Sequence, residues 1–69
     1  MIFAIEKATE FSCAASAIPD PELQLAYRSL ARLWTNLAKQ HGLLTHSEMR
    51  SEVQRLLDIE AVTLEATLH

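Results

Sequence analysis

Five side chains of this 69-residue chain stand out as candidate ligands, bases or nucleophiles: Cys13, His41, His46, Glu60 and His69. Glu60 is the oddest, because it falls inside an apolar helical stripe between Leu56 and Leu64. A carboxylate there can be a metal ligand or a general base. It can equally sit at the stripe's edge, or pair with an Arg across an interface. Di-iron bundles repeat a Glu-x-x-His motif, and the chain has neither that motif nor a His and Cys spacing suited to zinc or iron. No metal or cofactor is expected, and Glu60 is read as structural.

The remaining candidates read the same way. His41 is placed to cap the negative C-terminal end of a helix, and His46 lies in a connecting turn. Cys13 projects beside Glu6 and Thr9, away from Phe11, Ala15 and Ile18. That side is open to thiol chemistry or an intermolecular disulfide, but no neighbouring cation activates the thiol, so a small structural residue is expected. Cys–His catalysis needs a cleft that a chain this short seldom provides. No enzyme activity is expected.

Size limits what can hold these residues in place. Residues 1–69 make a single helical domain, and a chain of this length buries only about 60% of its unfolded surface. With one cysteine there is no internal disulfide. Association with another chain is then the leading route to stability. Hydrophobic residues at 49% and charged residues at 22% exclude a disordered chain. A net charge of −3 argues against nucleic acid and anionic membrane surfaces. No apolar run is long enough to span a bilayer, and no cationic start leads into a signal-like run. A cytoplasmic location is the default expectation.

Two breaks, "IPDPE" at 18–22 and "HGLLTHSE" at 41–48, divide the chain into helices at about 3–17, 21–41 and 46–67. At the first break Asp20 is an N-cap, Pro21 takes the first helical position, and Glu22 meets the positive end of the dipole. Gly42 is expected to end the second helix in the left-handed conformation. Thr45 and Glu48 form a capping box, and Leu44 with Met49 has the spacing of a hydrophobic staple. Two or three residues between the second and third helices favour an antiparallel hairpin. No segment alternates as a strand does, so the fold class is all-α.

At about 100° per residue, Leu23, Ala26, Tyr27, Leu30, Leu33, Trp34, Leu37 and His41 share an apolar face of the second helix. Arg28, Arg32 and Lys39 lie opposite, as a solvated stripe. The pattern D-P-E, then Ala26, Leu30-Ala31, Trp34 and Leu37-Ala38, with Cys13 upstream, resembles a group of short, uncharacterised bacterial helical proteins. The likeness spans about residues 8–41 and implies no activity.

The third helix has more apolar surface than a hairpin needs. Met49, Val53, Leu56, Leu57 and Leu64 make one stripe, expected to join Leu23, Tyr27, Leu30, Trp34 and Leu37 in the core. Ile59, Val62 and Ala66 make a second, with Leu68 beyond; together with Leu57 these are the candidate partner interface. The expected architecture is a dimeric helical bundle with the first helix outside or across its ends; the alternative is that the first helix fills the second groove itself. The expected function is a non-enzymatic helical interaction module, self-associating or serving as a small subunit of a larger complex. The alternative is an acidic regulator presenting Glu48, Glu52, Asp58 and Glu65 to a basic partner. A helix-turn-helix DNA reader is third, opposed by glutamates on its reading face and by a turn read as one residue long.

Overall fold

A computed structural model describes residues 2–68, with side chains placed through residue 66. The candidate ligand His69 and the side chain of Leu68 lie outside the described residues. Those residues form three α-helices and no strand: α1 (Ile2–Ala17), α2 (Pro21–Lys39) and α3 (His46–Leu68). The all-α class and the helix order are as the sequence indicates.

Alanine at regular helical spacing sets how α1 and α2 meet. Ala4, Ala8, Phe11 and Ala15 share one side of α1, and small side chains there let the helices approach closely along their length. The pair is antiparallel. Phe11 meets Tyr27 edge-on at 5.7 Å, and nearer the other end Phe3 meets Trp34 edge-on at 5.6 Å. Each such ring pair is worth about 0.5–1.5 kcal/mol beyond the area it buries. The turn between them is closed by side chains from both directions. The Asp20 carboxylate accepts from the Glu22 N–H at 3.0 Å, as an N-cap should. Gln24 Nε2 donates to the Ala15 and Ile18 carbonyls at 3.1 and 3.2 Å, satisfying acceptors that the end of α1 leaves open. Helix α1 is the closest neighbour of α2, because its small residues fit there.

Trp34, Leu30, Leu37, Leu56, Phe11 and Ala4 form the buried centre. Tyr27, Met49 and Val53 pack around it as expected, and Leu23 is half-buried. Leu64 is a correction: it is 38% exposed and outside this centre, since only the first half of α3 reaches α2.

The end of α2 also departs from expectation. The helix stops at Lys39, and no glycine has positive φ. Instead the chain leaves through right-handed turns. The Gln40 N–H is shared between the Asn36 and Leu37 carbonyls, His41 N–H reaches Ala38 O, and Leu43 N–H reaches Gln40 O. These short-range bonds satisfy the last carbonyls without a left-handed cap. His41 therefore stands exposed beyond the helix, off the apolar face. The connection runs from 40 to 45, longer than the two or three residues expected and too long for a helix-turn-helix.

At the start of α3 the capping box forms as read. Thr45 N–H donates to a Glu48 carboxylate oxygen at 2.9 Å, and Glu48 N–H donates to Thr45 Oγ1 at 3.1 Å. Leu44 and Met49 both pack on the core. Helix α3 then runs back antiparallel to α2, with Glu52, Arg55 and Leu56 beside Leu33, Leu37 and Gln40. The molecule measures 38 × 20 × 14 Å.

Candidate interaction surface

Glu60 does not face a metal or a second carboxylate. Its two carboxylate oxygens accept from Lys7 Nζ on α1 at 3.0 and 3.2 Å. The Lys7 and Glu60 side chains are 20% and 13% exposed, so the pair is largely removed from water. The ammonium also lies 5.8 Å from the ring centres of both Phe3 and Phe11. Two electron-rich faces and one carboxylate thus surround a single cation. The partner expected across an interface is supplied from within the chain, by a lysine rather than an arginine. Phe3 and Lys7 lie on one side of α1, four residues apart, and that spacing was the available signal. It went unused because α1 carries Thr, Ser and Cys and shows no sharp amphipathic pattern.

The other candidates for chemistry are scattered. Cys13 is exposed, as its position relative to Phe11 and Ala15 indicates. His46 lies 3.5 Å from Arg50, both exposed at the start of α3. Among the described residues no three His, Cys, Asp or Glu side chains come together around a metal position. The larger depressions, of about 490 and 500 Å³, are shallow and are lined by exposed polar side chains of α3 such as Ser51, Gln54 and Arg55.

Two of the acidic residues set against a basic partner are already engaged. Hydrogen bonds from Thr45, the backbone one foremost, hold the Glu48 carboxyl below its ordinary range. Glu52 accepts from Arg55 at 2.7 Å, which raises the guanidinium further. Asp58 accepts only from Gln54, at 3.1 Å, and Glu65 has no ion-pair partner among the described residues.

The expected interface residues divide in two. Leu57 and Ile59 are partly buried against the chain's own core. Val62, 66% exposed, and Ala66, also exposed, share one side of α3 with Ile59, while Leu64 lies on the opposite side. A shallow depression of about 290 Å³ is walled by Asp58, Ile59, Val62 and Thr63. The Thr63 hydroxyl donates to the Ile59 carbonyl at 2.9 Å. The second half of α3 is therefore an apolar strip edged by Asp58 and Glu65. Among the described residues no helix is long and apolar enough to cross a membrane. Comparison with protein-family models, curated proteins and solved structures finds no match to the chain.

Proposed function

We propose that this chain is a non-enzymatic helical interaction module that acts by self-association through the exposed half of α3. Its surface area carries the reading. The chain exposes 4876 Å², whereas a compact monomer of its mass exposes about 4400 Å². The surplus of about 500 Å² per chain is what the smallest specific interfaces bury on each side. The exposed Val62 and Ala66, together on one side of α3, contribute to that surplus.

The test is sedimentation of the wild-type chain over a wide concentration range, with urea unfolding at each concentration. The expected result is a dimer whose apparent stability falls on dilution. Val62→Arg is expected to yield folded monomer, because it places a charge in the apolar contact without touching the core. Ile59→Glu is the poorer probe, since it would damage the chain's own packing. A monomer at every concentration, with an unfolding midpoint independent of dilution, overturns self-association. A larger complex isolated with the native protein would then assign the strip to another partner.

A further inference from the structure

We propose that the α3 strip of one copy packs on the outward basic face of α2 of a second copy, reciprocally about a two-fold axis parallel to the helices. This rests on the self-association reading and specifies its geometry.

Charge selects the two faces. Helix α2 carries Arg28, Arg32 and Lys39 against one acid, Glu22. Helix α3 carries five acids against two arginines. The three α2 cations are exposed and have no ion-pair partner among the described residues. Packing α3 on α3 would bring Asp58 and Glu65 of both copies into one contact, an arrangement that costs several kcal/mol where like charges meet. Packing α3 on α2 brings opposite charges together instead. The α2 face has its own apolar element, since Leu25 is 67% exposed beside Arg28 and Arg32.

Register supports the same pairing. Within one chain Leu33 and Gln40 of α2 stand beside Glu52 and Leu56 of α3, which sets the levels of the two antiparallel helices. A two-fold axis along the helices leaves those levels unchanged and lays α2 of one copy over α3 of the other. Continuing the register by whole turns brings Arg32 level with Asp58 of the second copy. It brings Arg28 within a turn of Val62 and Glu65, and Leu25 level with Ala66. To within a turn, Arg32 and Arg28 then lie near Asp58 and Glu65, and Leu25 lies near Ala66. On each helix these residues lie on the side turned from the core, so none is withdrawn from the fold.

Arg32→Glu and Asp58→Arg test this as a pair. Each variant alone places like charges opposite one another at both copies of the contact. Each is expected to fold with wild-type helix content and to weaken dimerisation about tenfold or more at low salt. Mixed in equal amounts they are expected to form a heterodimer, because every contact between the two variants again joins opposite charges. Sedimentation and circular dichroism read both effects. If wild-type chains dimerise but neither variant weakens the dimer, or if the mixture fails to restore it, the α2–α3 pairing is overturned while self-association stands. A monomeric wild type overturns both.

Discussion

Helices α1 and α3 flank the same central helix, yet they are attached to it in different ways. Along α1 the contact is continuous: alanines facing α2, edge-on ring pairs, and Gln24 sealing the turn. Along α3 the contact is concentrated at Leu56 and its neighbours, and the tie to α1 is the Lys7–Glu60 ion pair. One contact is distributed along the whole helix; the other is local, apolar from Met49 to Ile59 with one ion pair added. Distributed burial fails only when the whole hairpin opens. A local tie can be lost while the hairpin remains intact. The arrangement therefore joins a two-helix platform to a third helix held by a shorter contact.

The largest effect belongs to the residue shared by both sides. Trp34→Ala is expected to cost about 3–5 kcal/mol, lowering the urea midpoint of α1, α2 and α3 together. Trp34→Phe is expected to cost much less. The Trp34 Nε1–H is buried and has no hydrogen-bond partner among the described residues, so phenylalanine also discards an unsatisfied donor. A loss confined to α3 would erase the distinction between shared centre and flank.

Lys7→Met separates the two attachments. It leaves Glu60 largely buried without its cation, at a cost of about 1–3 kcal/mol. Amide hydrogen exchange is expected to quicken in α3 and stay slow in the α1–α2 pair. Pairing it with Glu60→Leu removes both charges and is expected to recover much of the loss. Uniform acceleration throughout the chain would mean that the flanks are not separable.

The smallest effect is at the connection. Gly42 has ordinary φ, and a Cβ there would meet nothing within 4 Å. Gly42→Ala is thus expected to stabilise by about 0.4–1 kcal/mol, through the unfolded chain. Thermal unfolding decides it. A destabilised variant would restore the left-handed cap that the helix end lacks.

Local signals in the sequence proved legible where one short segment decides the outcome. Asp20-Pro21 begins α2, Thr45 and Glu48 begin α3, and the heptad-like leucines of α2 name its buried face. The end of α2 was misread because glycine permits a left-handed cap without requiring one, and backbone bonds from 40 to 43 met the need first. The role of α1 was hidden for a different reason. Its contact is made by alanine, whose packing value depends on what lies opposite, and one sequence does not reveal that. Glu60 shows the same limit. Its oddity was visible at once, but its partner lies 53 residues away on a helix whose position had to be known first.

Burial of the chain's single tryptophan has an optical consequence. An indole enclosed by hydrocarbon and by the edge-on Phe3 ring, with no acceptor at its nitrogen, emits at shorter wavelengths than one in water. Trp34 also shares its buried cluster with Leu56 of α3. Its colour thus registers whether the third helix is seated, and the protein reports its own closure without an added label.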